Sequence, residues 1–282
     1  MDRGRRRFCL AAALALALAG LGRGQAAEAK TLRLGLMPVY GIRSLMSRYE
    51  PMRSYLSRLL GQAVRVETAP DFRRYLASIL AGEFDIAVAG AHFARIAQKD
   101  KGWIPLAQFE PDNDTLLIVR AGEKPSRPAD LVGKEVAVID RLAITVMGAV
   151  TWLDKQGLKA DQDYRLVEYH NHASVVHSLL SGASAMAVTT SHGFNQIPAD
   201  QRARVEVYQS LFDLPAFVIM AAPGTPKAVA DTLRRALLAF PSELEGLDFM
   251  GQNSYTGLRA ADAVAMRRAD PYLKETRRML GR

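Results

Sequence analysis

Between Leu32 and Phe109 the chain alternates short apolar runs with amphipathic stretches, and this alternation limits the fold more than any other feature. "LRLGL" (32–36) reads as a strand. The stretch "YEPMRSYLSRLLG" puts Met52, Tyr55, Leu56, Leu59 and Leu60 on one helical face, with Pro51 near its start and Gly61 just past its end. "AVRVET" (63–68) is a second strand. Asp71 N-caps a helix faced by Phe72, Tyr75, Leu76, Ile79 and Leu80 and stopped at Gly82. "FDIAV" (84–88), a short helix from Ala91 and the strand "WIPLAQF" follow. This β-α-β-α-β order with short connections predicts a parallel sheet covered by helices.

The pattern then repeats. Strands are expected at 114–121, 135–139, 164–169 and 185–190, with helices over 143–155 and 173–181. A further strand at 214–221 and helical stretches at 226–239, 259–268 and 271–280 complete the chain. Two αβ units with a C-terminal remainder imply that one lobe is inserted into the other. Residues 30–113 plus 215–282 would form lobe 1 and residues 114–214 lobe 2, with strands near 114–121 and 214–221 as the crossovers. Ligands of open α/β sheets bind beyond the carboxyl ends of strands. The turns at 37–41, 68–72, 89–93, 140–145, 170–173 and 189–193 should therefore line a cleft between the lobes.

The first 29 residues read as a signal peptide. Arg3, Arg5, Arg6 and Arg7 precede an apolar run from Leu10 to Leu21, and Ala27-Glu28-Ala29 ends the segment as an A-x-A cleavage site. The run is too short for a membrane span of about 20 residues. Arg5-Arg6-Arg7-Phe8 also fits a twin-arginine signal, so both Sec and twin-arginine export stay open, with the periplasm as destination. Cleavage would remove the lone Cys9, so no disulfide could form and the core alone would hold the fold. It would also remove five arginines and two acids, lowering the net charge from +8 to about +5. No Lys/Arg block marks a nucleic-acid site. A mild positive field favours small anions or anionic surfaces.

The stretches "RLGLMPVY", "YEPMRSYLSRLLGQAVRVETAPDFRRYLASILAGEFDIAVAG" and "NHASVVHSLLSGASAMAV" resemble the periplasmic phosphate/phosphite/phosphonate-binding proteins of ABC transporters. The resemblance covers nearly the whole chain after residue 29. Its most specific part runs from Glu50 to Gly90: a helix ending L-G, a V-x-V strand, A-P-D-F and G-x-x-D-I-A. It implies a two-lobed type II periplasmic binding protein, α/β in class, each lobe a mostly parallel sheet flanked by helices. The lobes would close on a ligand by hinge motion.

Three of the family's usual ligand positions are altered. The aromatic residue expected after D-I-A is replaced by Val88, Ala89 and Gly90. The Ser/Thr-rich helix start of the second lobe reads Asp140-Arg141-Leu142-Ala143-Ile144-Thr145, leaving Arg141 and Thr145 as polar donors. His172 matches the histidine after the next strand, but Ala173 stands where amino-phosphonate binders carry an acid. The scaffold is kept and the specificity chemistry is changed.

Helix starts near Ala91, Ala143 and Ala173 should offer unpaired N–H groups to an anion. His92 after Gly90-Ala91, His172, and His192 after Thr190-Ser191 lie at cleft turns, where an imidazole can donate to a ligand oxygen. Tyr40 is a candidate wall, whereas Phe72 fits its own helix stripe and reads as core. The ligand-binding candidates are thus Tyr40, Gly90, Ala91, His92, Arg141, Thr145, His172, Thr190, Ser191 and His192. His170 would stand behind His172, and His177 would point to solvent because Val175, Val176, Leu179 and Leu180 make the apolar face of that helix.

No metal site, cofactor or catalysis is expected. The chain has no H-E-x-x-H pattern, G-x-S-x-G or Walker A motif, and Ser191-His192-Gly193 is not a triad signature. The expected function is capture of a small, anionic ligand by a monomer for an ABC permease. The alternative is a sensory component presenting its ligand to a receptor kinase.

Overall fold

The computed structural model describes residues 31–195 and 197–281. The signal-peptide reading concerns residues 1–29 and lies outside them. In chain order the first half contains β1 (Leu32–Leu36), α1 (Ile42–Leu60), β2 (Val64–Thr68), α2 (Phe72–Ala81), β3 (Ile86–Ala89), α3 (Ala91–Lys101), β4 (Ile104–Glu110), β5 (Asn113–Arg120) and β6 (Glu135–Val138). There follow α4 (Ile144–Lys155), β7 (Arg165–Glu168), α5 (His172–Leu180), β8 (Met186–Thr189), α6 (Ser191–Asn195), α7 (Ala199–Arg202) and β9 (Val205–Leu214). The last part contains β10 (Val218–Ala221), α8 (Lys227–Ala239), α9 (Leu244–Asn253), β11 (Gly257–Ala260), α10 (Ala263–Arg267) and α11 (Asp270–Met279).

The strands form two sheets. One has six strands in the order β11-β4-β10-β3-β1-β2, and the other has five in the order β7-β6-β8-β5-β9. Within them β2-β1-β3 and β7-β6-β8 are parallel. Each sheet also takes in a reversed strand: β10 runs antiparallel to β3 and β4, and β5 antiparallel to β8. These reversed strands follow the two links between the sheets, residues 111–112 and 215–217. A chain arriving at the carboxyl edge of one sheet enters the other from that same edge and must run the opposite way. The carboxyl ends of β1, β3, β6, β7 and β8 and both links thus converge on one region. Asn113 Nδ2 donates to the Pro215 carbonyl at 3.1 Å and ties the links together.

Local rules account for most helix ends. Asp71 caps α2 by accepting from Arg74 N at 2.7 Å, and Gly61 and Gly82 end α1 and α2 in the left-handed conformation. The first helix departs from its sequence reading, because it starts at Ile42 and carries Pro51 in its interior. Leu45 and Tyr49 extend the buried stripe of Met52 and Leu56 backwards at helical spacing. Their burial holds the turn where proline cannot donate. The structure differs from the sequence reading further on as well. Strand β9 and helices α7 and α9 were not expected, and β11 takes in Arg259 and Ala260, where a helix was expected to begin.

One apolar cluster runs through both sheets, from Phe72, Tyr75 and Phe93 to Val136, Val146 and Val188. A second fills the space between the first sheet and α1, α8 and α9, with Leu34, Met52, Leu56, Leu233 and Phe249. No described helix is long and apolar enough to cross a membrane.

Candidate functional site

At the converging strand ends lies a small cavity of about 50 Å³. Its wall includes Tyr40, Phe72, Gly90 and His92 from the first-sheet side, Ala143, Thr145, His172 and His192 from the second, and Phe217 and Tyr255 from the returning chain. A wider groove of about 740 Å³ lies between α4 and α11. Of the six turns expected at the cleft, that groove takes a residue from one alone, Arg141 of the 140–145 turn, and none from the first sheet. The small cavity is therefore the candidate site.

Two helices point uncapped first turns at it. The N-cap residues of α3 and α4 are Gly90 and Ala143, which have no side chain able to accept an N–H, and no side-chain cap is made at either. First-turn N–H groups have no partner within their own helix, and together they carry about half a positive charge. By contrast α2 is capped by Asp71, and Asn171 accepts from Ser174 N at 2.9 Å to cap α5. The two open helix ends belong to opposite sheets.

Three imidazoles share the wall. His92 is fully buried on α3, and its Nε2 lies 2.8 Å from the carbonyl oxygen of Leu142 in the second lobe. His172 opens α5, 8% exposed, with Nδ1 3.0 Å from Thr189 Oγ1. His192 stacks on Tyr255, ring centres 4.7 Å apart, and its Nε2 is buried with no partner. Burial lowers the pKa of each to about 4, against an ordinary value near 6.5; at His92 the bond to Leu142 opposes the shift, and Arg48 adds to it at His192. All three rings are neutral at pH 7.

Thr190 Oγ1 accepts from Gly193 N at 2.8 Å. Gly193 is required where it stands. A Cβ there would lie 2.7 Å from His172 Cγ and 2.9 Å from Thr189 Oγ1.

Of the sequence candidates, Tyr40, Gly90, His92, Thr145, His172, Thr190 and His192 line the cavity. Three lie elsewhere. Ala91 is buried beside it in the core. Ser191 turns to Asp114, accepting no role in the wall: its N donates to Asp114 Oδ1 at 2.8 Å and its hydroxyl to Oδ2. Arg141 forms an ion pair with Asp161 and donates to the Leu166 carbonyl at 3.0 Å, so its charge is directed away from the cavity. Phe72 is both core and wall, 3% exposed.

Sequence reasoning missed Tyr255 and Phe217, which reach the cavity from distant chain. Asn113, Ile139 and Ile144 were not singled out either, whereas Met37 and Val39 belong to the 37–41 turn expected at the cleft. The exposed His170 and His177 are not part of the wall. Replacing His177 with alanine is expected to change thermal stability by less than about 0.5 kcal/mol and to leave ligand affinity as it was. A calorimetric melt and one binding isotherm check both.

Residues 34–265 match the family described as ABC transporter, phosphonate, periplasmic substrate-binding protein. The chain belongs to this family. Solved structures agree on the two-lobed fold. A binding-protein component of an ABC phosphonate transporter from Pseudomonas aeruginosa has a TM-score of 0.77 at 15% identity, covering 90% of this chain and 89% of that one. PhnD1 from Prochlorococcus marinus, in complex with methylphosphonate, also scores 0.77, at 12% identity and with 90% and 99% covered. The periplasmic aliphatic sulphonate binding protein SsuA from Escherichia coli scores 0.64 at 14%, with 90% and 94% covered. As a member of this substrate-binding family the chain serves solute capture for ABC-type uptake.

Among the described residues no three His, Cys, Asp or Glu side chains are grouped to hold a metal ion.

Proposed function

We propose that this protein, exported by its N-terminal segment to the periplasm, binds a small oxyanion of the phosphite or phosphonate type as a monomer. The ligand sits in the cavity between the lobes, and the loaded form is delivered to an ABC permease. The observation that carries this reading is the pair of uncapped helix ends, α3 and α4, which reach one small cavity from opposite sheets. An anion between them would accept from both and draw the lobes together. The lobes 30–113 plus 215–282 and 114–214 would move about the links at 111–112 and 215–217. His92 and Thr145 would meet the ligand from the two sides, with His172, Thr190 and His192 completing the wall and Tyr40 closing it.

The reading also accounts for size and charge. Among the described residues no arginine or lysine lines the cavity, so dipoles rather than a cation would hold the charge. The space suits a headgroup with at most a short substituent.

The test is a melting series of the purified protein with phosphite, phosphate, methylphosphonate, methanesulfonate, acetate and Zn²⁺. A ligand present at about 100 times its Kd should add about 2.7 kcal/mol of stability. The expected result is a response to phosphite or methylphosphonate and none to acetate. A response to Zn²⁺ alone would overturn the proposal.

A further inference from the structure

The buried edge of His92 restricts which form of an oxyanion can enter. A carbonyl oxygen can only accept, so the 2.8 Å contact with Leu142 O places the proton of His92 on Nε2. Nδ1 of a neutral ring is then a bare lone pair. It is buried and has no partner. It faces the gap beside Gly90, where a Cβ would come within 3.2 Å of Nδ1 and 3.6 Å of Met37 Sδ. Gly90, Met37 and His92 all line the cavity.

We infer that the protein takes its oxyanion in the singly protonated form, with the ligand's own hydroxyl donating to His92 Nδ1. This rests on the oxyanion reading above and adds to it the protonation state and the residue that selects it. The two uncapped helix ends supply donors for the bare oxygens, and His92 supplies an acceptor for the hydroxyl. A fully deprotonated dianion would set an oxygen lone pair against that of Nδ1, and its second charge would find no side-chain cation in the wall. A sulfonate, with no proton to give, would leave Nδ1 buried and unpaired.

The other titratable groups near the cavity are His172, His192, Tyr40 and Tyr255. Arg48 stands behind the Tyr40 ring at 5.2 Å, and Asp140 lies two residues from Leu142. Asp140 is raised by burial to about 6 and could itself change binding with pH. The experiment must therefore separate a titrating protein from a titrating ligand.

Isothermal titration of phosphite and of methylphosphonate from about pH 5.5 to about pH 9 does so, because methylphosphonate loses its second proton at higher pH than phosphite. Above each ligand's second ionisation Kd should weaken about tenfold per pH unit, since only the shrinking monoanion fraction binds. The midpoint should move with the ligand. If a single one of the two binds, its midpoint should fall at that ligand's own ionisation. Replacing His92 with leucine, which keeps an apolar side chain of similar length, should flatten the profile. The ¹⁵N shifts of His92 in the loaded wild type should remain those of a neutral ring. A midpoint common to both ligands, an affinity constant with pH, or an imidazolium signal from His92 would each overturn the inference while leaving oxyanion binding intact. Failure of both ligands to bind at any pH would overturn the oxyanion reading and this inference together.

Discussion

Acidification from about pH 7.5 to about pH 4.5 is expected to lower the melting temperature by roughly 10 °C in the absence of ligand. The cause is the set of three buried imidazoles. His92, His172 and His192 have folded-state pKa values of about 4 because burial disfavours the charged ring. In the unfolded chain they titrate near 6.5. Between these limits the unfolded state binds more protons than the folded one, so stability rises with pH. The contribution is complete above about pH 6.5 and is lost as pH falls through about 4. At about pH 4.5 one such histidine has lost roughly 2.5 kcal/mol.

Asp140 works in the opposite sense. Burial raises its pKa to about 6, so its protonation favours the folded state as pH falls. That offsets about 2 kcal/mol at pH near 4.5, leaving a net loss of about 5 kcal/mol. In a chain of this size each kcal/mol corresponds to about 2 °C. Calorimetric melts at pH 7.5, 6 and 4.5 measure the effect. A melting temperature that stays flat across that range would mean that the rings are solvated or charged in the native protein. Two of these groups also touch across the lobes: His92 donates to Leu142, and Asp140 accepts from the backbone of Phe72.

The parts of this molecule that obey local rules could be read from the chain, and the parts set by distant partners could not. Asp71 as a cap, the Phe72–Tyr75–Leu76–Ile79–Leu80 stripe and the stops at Gly61 and Gly82 are all decided within a few residues. Strand β9 gives no such signal. It is an edge strand, paired only to β5 across two register shifts, and its half-exposed pattern lacks a clean alternation. Arg259 and Ala260 open an alanine-rich run and read as helix. Pairing with β4 makes them a strand, and the helix begins only after Asp262 caps it. Helix α9 leaves Leu244 and Leu247 exposed, which blurs its stripe.

The same division holds at the candidate site. Histidines placed after βα turns were visible as candidates because topology alone sends those turns to one edge. Tyr255 and Phe217 were not, since the long return of the chain brings them there. Arg141 looks like a ligand donor until Asp161, 20 positions away, takes its guanidinium. His92 is the instructive case. In sequence it reads as a donor to a ligand oxygen, but its donor is already committed to Leu142, and what it presents is an acceptor.

Gly193 supplies the second large effect. Its Cβ position is filled on one side by the His172 ring, at 2.7 Å from Cγ and 2.8 Å from Nδ1, and by Thr189 Oγ1 at 2.9 Å. None of these is the free end of a flexible chain. The ring is buried at the start of α5 and bonded to Thr189, and Thr189 lies at the end of the central strand β8. Gly193→Ala therefore cannot be absorbed by a small rotation. The ring must leave Thr189, and a neighbouring opening is a cavity of about 50 Å³. Overpacking of this kind costs about 1–3 kcal/mol of stability. Entry of the ring into the cavity removes the space a ligand needs, so affinity for phosphite or methylphosphonate should fall by roughly a hundredfold or more, about 2.7 kcal/mol. Gly251→Ala is the control. It lies in α9 with nothing within 4 Å of its Cβ position, so it should retain full affinity and match or slightly exceed wild-type stability. Titration calorimetry and melts of both variants decide the matter. A Gly193→Ala protein that folds and still binds within a few-fold of wild type would show that His172 has room to yield without entering the ligand's space.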